Sequence, residues 1–294
     1  MASETPRRSV LYVPALHERA LAKLPQLAAD VVILDLEDSV APAEKDAARA
    51  RAAALLAAPR AAGGPELVVR INRPDEAAGA TDLAAILPAA PDGILLPKAR
   101  SEQDLSALRR QAAAIAPAAP TRLWVMIETA QAVAAPLPLA LAQSDSLPLT
   151  AFVLGLNDLA AETGVRLMPG RAAMMPWMMM ALAAARAGGL DIIDAVFNGI
   201  TDQEGFAAEC ASAHDLGFDG KSLIHPTQIE AANRLFAPDE GALAEASRIA
   251  TVFERPENRQ KGVVMVEGRM VERLHAEAAK RLLIRAETIA RRRG

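Results

Sequence analysis

The chain has 294 residues, a formal net charge of −4, 52% hydrophobic residues and 23% charged ones. That balance supports one large apolar core and excludes a protein built mainly to grip nucleic acid. A single cysteine, Cys210, excludes an intrachain disulfide or a multi-cysteine zinc cluster and fits a reducing cytoplasm, the expected location.

Met1 to Arg8 carry no apolar run, so no signal peptide is expected, and no apolar stretch of about 18 residues suits a membrane span. Short aliphatic runs then recur between Ala-rich segments. The predicted strands are Val10–Val13, Val31–Leu36, Leu67–Ile71, Gly93–Leu96, Leu123–Ile127, Ala151–Leu156, Ile192–Val196 and Gly217–Ser222. They are continuous apolar runs without alternation, as parallel strands buried on both faces require. Helices are predicted between them, among them Glu44–Leu56, Glu102–Ile115, Ala172–Ala187 and Glu204–Leu216. A doubly wound open sheet would carry a glycine-rich loop after its first strand. The corresponding residues, Tyr12-Val13-Pro14-Ala15-Leu16-His17, contain no glycine. Eight strand–helix alternations therefore predict an α/β protein, a (β/α)8 TIM barrel over residues 1–237.

Residues 238–294 are predicted to form a C-terminal helical extension that covers a barrel mouth, its own or a neighbour's. It reads as a helix from Pro238 through Val252, a polar link Glu254–Lys261, a hairpin-like Val263–Val271 and a helix from Leu274 to Arg291. Arg291-Arg292-Arg293 reads as a solvated helix end. The run Met174-Met175-Pro176-Trp177-Met178-Met179-Met180 reads as helix core or a subunit contact. His17, His214 and His275 lack metal-ligand spacing.

The chemistry gathers where the strands end: Asp35, Glu37 and Asp38; Arg70 and Asn72; Lys98; Glu128; Asn157 and Asp158; Lys221. In a barrel these ends form the catalytic face, so the side chains are expected to converge on one pocket. Glu128 and Asp158 end consecutive strands and are the metal candidates. Two carboxylates leave an octahedral Mg2+ room for water and two substrate oxygens, and Mn2+ suits the same set. Arg70 is placed to bind a substrate carboxylate with two prongs and to stabilise negative charge. Glu37 and Asp38 are expected behind the metal, holding water and orienting Arg70. Asn157, beside Asp158, is a further substrate-binding candidate. Lys98 has a rival role as an imine-forming lysine.

Six segments, in order, carry a resemblance: Arg8–Pro14, Asp35–Val40, Val69–Asn72, Leu96–Lys98, Glu128–Ala130 and Gly217–Pro226. Together they resemble the citrate lyase β-subunit group of the HpcH/HpaI aldolase superfamily, which includes malyl-CoA and citramalyl-CoA lyases. The resemblance spans essentially the whole chain. It implies a Mg2+-dependent barrel, homotrimeric or homohexameric, that makes or breaks a carbon–carbon bond between a 2-oxo acid and an acyl-CoA. It maps the metal ligands onto Glu128 and Asp158 and the substrate arginine onto Arg70. Contacts to the coenzyme A thioester fall on Tyr12, Lys23 and the loop Ile224, His225 and Pro226. Two positions depart from the family pattern. Ala15 stands where glycine is common, and Glu272, in Gly268-Arg269-Met270-Val271-Glu272, stands where many members place a catalytic aspartate. Glu272 is the candidate acid–base group, or alternatively only a helix cap. The rivals are a carrier-dependent citrate lyase subunit, an aldolase of free 2-oxo acids, and a metal- and CoA-binding module without turnover.

Overall fold

The computed structural model describes residues 6–60, 63–116 and 120–293. Most of the N-terminal segment read above for a signal peptide, and the side chains of Arg292 and Arg293, lie outside the described residues. No described helix is long and apolar enough to cross a membrane. The chain divides into two compact units, one from Arg7 to Phe236 and one from Ala237 onward.

The first unit is a closed barrel of eight parallel strands in sequence order, β1 closing on β8. They are β1 Ser9–Pro14, β2 Val31–Asp35, β3 Glu66–Arg70, β4 Gly93–Leu96, β5 Arg122–Ile127, β6 Leu149–Leu154, β7 Asp191–Asp194 and β8 Gly220–Leu223. The helices around and after them are α1 Glu18–Lys23, α2 Lys45–Ala57, α3 Ala77–Ile86, α4 Glu102–Ile115, α5 Ala130–Ala134, α6 Pro136–Leu141, α7 Leu156–Thr163, α8 Met175–Gly188, α9 Gln203–Leu216 and α10 Ile229–Leu235. The expected TIM barrel is the observed fold, and each predicted strand overlaps its counterpart. The β6 and β8 bounds differ. Leu156 opens α7, and Gly217 caps α9 in a left-handed conformation (φ +100°), so β8 starts only at Gly220.

Alternation along each strand divides the core in two. One set of side chains, including Val10, Ile33, Val68, Leu95, Trp124, Val153 and Ile193, fills the barrel interior. The other, including Leu34, Val69, Val125, Phe152 and Leu223, packs against the helices. At the N-terminal end of the barrel, Arg7 closes the interior. Its guanidinium pairs with Glu66 at 3.0 Å and Asp191 at 2.9 Å and lies 4.4 Å over the Trp124 ring.

The same alternation corrects the expectation for Lys221. It is the second residue of β8, flanked by inward Gly220 and Ser222, and it points outward into the helix layer. There its ammonium, fully buried, meets Asp194 at 2.7 Å and Glu209 at 2.5 Å. Arg171 completes the cluster, 2.6 Å from Asp194. Burial alone would raise the Asp194 pKa, but Lys221 and Arg171 outweigh it and hold the carboxyl below the usual carboxylate range. A depressed folded pKa stabilises at pH values above the unfolded one and loses that contribution as pH falls through the folded value. Asp194→Ala, which leaves two buried cations facing one carboxylate, is expected to cost about 3–5 kcal/mol at neutral pH. Urea unfolding should show the gap to the native protein narrowing only below about pH 4.

The second unit contains α11 Glu240–Ala250, a two-stranded antiparallel hairpin of β9 Val263–Val266 and β10 Arg269–Glu272, and α12 Arg273–Arg293. Val252, Phe253, Val264, Val271 and Ala276 form its small core. Gly268, with φ +80°, makes the hairpin turn beside Glu267.

Candidate active site

Inward positions at the C-terminal ends of the strands bring the chemistry together. Reading every second residue, Val31-Ile33-Asp35, Glu66-Val68-Arg70 and Trp124-Met126-Glu128 each rise through the interior and end on a charge. They open into a cavity of about 410 Å3, lined by Tyr12, Asp35, Arg70, Met126, Asp158 and Ser222 among others. That volume lies within the usual range for a small-molecule site, about 300–1,000 Å3.

Glu128 follows β5 directly and is 1% exposed. Its Oε1 accepts the Lys98 backbone N–H at 2.6 Å, whereas Oε2 is buried without a hydrogen-bond partner. Burial, followed by the nearby charges of Asp158 and Glu37, pushes its carboxyl up to about 8. A buried carboxylate oxygen with no donor, beside a second carboxylate, is an unfavourable arrangement that a divalent cation would relieve. Glu128 and Asp158 therefore fit a hard metal with oxygen ligands. Among the described residues no third Asp, Glu, His or Cys joins them, so such an ion would keep sites for water and substrate. Asp158 comes from the first turn of α7, not from the end of β6. The strand stops at Leu154 because the chain turns at Gly155.

Arg70, the last residue of β3, is held by a bidentate pair with Asp35 at 2.7 and 2.6 Å. Its Nη1 forms an ion pair with Glu37 Oε2 at 3.0 Å and lies 3.4 Å from Asp38. Burial disfavours the cation, but Asp35 raises the Arg70 pKa further and keeps it charged. Its guanidinium lies 5.2 Å over the Tyr12 ring, whose hydroxyl burial holds above its ordinary pKa. Lys98 pairs with Glu37 at 2.6 Å and Asp38 at 3.1 Å. Burial opposes its charge, yet those carboxylates raise its pKa, and a protonated amine is a poor imine former. Asn72 accepts from Lys45 at 2.9 Å and ties to Asp82 instead of facing the cavity.

Of the remaining candidates, Asn157 and Ile224 line the cavity. Asn157 exchanges two amide hydrogen bonds with Asn198, at 3.1 and 2.9 Å. Lys23 is exposed in the last turn of α1. His225 Nδ1 sits 2.8 Å from Thr227 Oγ1 and caps the turn begun by Pro226, so it shapes the loop after β8. Glu272 ends β10 in the second unit, where its backbone N–H donates to His275 Nδ1 at 2.9 Å. Among the described residues no hydrogen bond or ion pair holds its carboxylate.

Sequence reasoning passed over Gly155, Ser222 and the specific Asp35–Arg70 pairing. A Cβ on Gly155 would lie 2.5 Å from both Cβ and Oε2 of Glu128, so the glycine provides the space that the carboxylate occupies. A lone glycine between a strand and an acidic helix start was the available signal. Ser222 Oγ is buried at the cavity wall without a partner, and nothing in a lone serine announces that.

The family described as HpcH/HpaI aldolase/citrate lyase matches residues 8–226. A (3S)-malyl-CoA thioesterase of Cereibacter sphaeroides is 45% identical over 286 residues, covering 97% of this chain and 96% of that protein. The citrate lyase subunit beta of Haemophilus influenzae is 33% identical over 292 residues, covering 96% and 97%. The crystal structure of CitE from Mycobacterium tuberculosis in complex with magnesium, acetoacetate and coenzyme A superposes with a TM-score of 0.75 at 31% identity. It covers 97% of this chain and 100% of that one.

Proposed function

The chain belongs to the HpcH/HpaI aldolase/citrate lyase family, and on that premise we propose a Mg2+-dependent carbon–carbon lyase. Its substrate is a 3-hydroxyacyl-CoA of the malyl-CoA or citramalyl-CoA type, split into a 2-oxo acid and an acyl-CoA, or formed by the reverse condensation. The observation that carries this reading is the buried, unpartnered Glu128 Oε2, close enough to Asp158 and Arg70 to feel their charges, beside a cavity that those two residues line. The magnesium and coenzyme A held by the mycobacterial relative support it.

Glu128 and Asp158 would hold the metal. A bound Mg2+ supplies Lewis-acid polarisation of the substrate's oxygens. Arg70, kept charged and oriented by Asp35, binds the carboxylate of the acid end and stabilises negative charge that develops there. Glu272 is the proposed base for the substrate hydroxyl. As that proton leaves, the hydroxyl oxygen becomes the new carbonyl. The bond to the carbon beside the thioester breaks, and its electron pair passes to the thioester carbonyl as an enolate. A proton returned to that carbon completes the acyl-CoA. Tyr12 and Ile224 line the cavity wall, and in this reading they flank the acyl portion.

The thioesterase name of the 45% identical relative favours a second reading, hydrolysis of the same thioester to a hydroxy diacid and free coenzyme A. Product analysis separates the two. With malyl-CoA or citramalyl-CoA and Mg2+, the lyase yields glyoxylate or pyruvate with the thioester intact in acetyl-CoA. Hydrolysis instead releases free thiol and no 2-oxo acid. The expected result is Mg2+-dependent 2-oxo acid without free thiol. Silence on both substrates would shift the function to a carrier-bound citryl thioester, as the citrate lyase relative suggests.

A further inference from the structure

Lys98 occupies a conformation that its side chain alone does not explain. It follows β4 and Pro97, and its φ is +50°, in the left-handed region that residues bearing a Cβ avoid. Three polar groups of this one residue are each tied to a different part of the barrel mouth. Its N–H donates to Glu128 Oε1 at 2.6 Å, after β5. Its carbonyl accepts from Arg73 Nη1 at 2.6 Å, after β3. Its ammonium reaches Glu37 Oε1 at 2.6 Å and Asp38 Oδ1 at 3.1 Å, after β2. Glu37 in turn meets Arg70 through its other oxygen, at 3.0 Å. Strained backbone persists where surrounding contacts over-determine it, and such places cluster at functional sites.

We propose that Lys98 is a positioning residue that links the carboxylate of Glu128 to the guanidinium of Arg70 through one left-handed backbone unit. This rests on the reading of Glu128 as a metal ligand. The N–H fixes one oxygen of Glu128, which leaves the unpartnered Oε2 for the cation. The ammonium holds one oxygen of Glu37, which keeps that acid from closing fully on Arg70 and competing with a substrate carboxylate. Because the two contacts start from one residue, the backbone conformation at Lys98 ties the position of the Glu128 carboxylate to that of Glu37 and, through it, Arg70. Groups that orient metal ligands in this way are commonly worth about 10–100-fold in metal affinity.

Backbone and ammonium roles separate experimentally. Glycine adopts positive φ readily, so Lys98→Gly can keep the N–H in place while it removes the side chain with its charge. Lys98→Ala removes the charge and keeps a Cβ whose strain only the N–H and carbonyl contacts then oppose, so the segment is expected to relax. Calorimetric titration of the full-length protein with Mg2+, without substrate, is expected to show native-like affinity for Lys98→Gly and about tenfold weaker binding for Lys98→Ala. KM for the turned-over thioester should rise in both variants, and Lys98→Arg should restore it. The proposal is overturned if Lys98→Ala binds Mg2+ as the native protein does, or if Lys98→Gly is weakened equally. Should Lys98→Ala not fold, Lys98→Gly alone decides: raised KM with retained Mg2+ affinity supports the linkage, and unchanged KM overturns it. A native protein that binds no Mg2+ overturns the metal reading beneath it as well, which distinguishes the two failures.

Discussion

Glu128→Gln and Asp158→Asn are each expected to reduce turnover about a thousandfold or more, since the loss of metal-derived stabilisation amounts to several kcal/mol. Both substitutions keep volume and shape, so the barrel should fold normally. Glu128→Gln is even expected to raise stability in the absence of metal. It removes a carboxylate that burial, Asp158 and Glu37 together disfavour, and whose Oε2 finds no donor. That pairing of lost activity with gained stability distinguishes a ligand from a structural acid, because removing a structural acid costs both. The check is kcat with the thioester substrate beside thermal unfolding with and without Mg2+. Native stability should rise on adding Mg2+, and that of the Glu128→Gln variant should not. Near-native turnover in either variant would remove these two residues from the metal site.

The second large effect is expected at a residue with no functional group. Gly155→Ala places a methyl 2.5 Å from Cβ and Oε2 of Glu128 and 3.1 Å from Met126 Cε. Glu128 has little freedom to yield, because its other oxygen is held by the Lys98 N–H. Gly155 itself needs no special backbone angle, with φ −114°, so the substitution acts through space alone. Overpacking of this kind costs about 1–3 kcal/mol of stability, which a barrel this size tolerates. Displacing the carboxylate by about 1 Å should lower kcat roughly a hundredfold and weaken Mg2+ binding. A folded Gly155→Ala protein with native kcat and Mg2+ affinity would mean that the position of Glu128 is not what the reaction depends on.

Much of the fold was legible because parallel barrel strands are buried on both faces. Runs such as Val31-Val32-Ile33-Leu34 and Leu123-Trp124-Val125-Met126-Ile127 have no other stable use, and the Ala-rich segments between them supply the helices. The charges that close these runs were legible for the same reason: Asp35, Arg70 and Glu128 stand where an apolar strand ends. Lys221 was misplaced by the same reasoning. In a continuous run, composition does not say which residues face inward, and a one-residue offset sends a side chain into the helix layer.

What the sequence determined by itself is the barrel, its strand order, and the set of strand-end residues available for chemistry. These follow from local hydrophobic pattern and from the short connections that force neighbouring strands to pair. Only the tertiary structure decided how that set divides. Asp35 clamps Arg70, Lys98 is spoken for by Glu37 and Asp38, Lys221 belongs to a separate buried cluster, and Glu128 keeps a buried oxygen without a hydrogen-bond partner. The physical reason is that ion pairing depends on distances of 3 Å or so between residues up to dozens of positions apart, and closure of the barrel sets those distances where no local signal reaches.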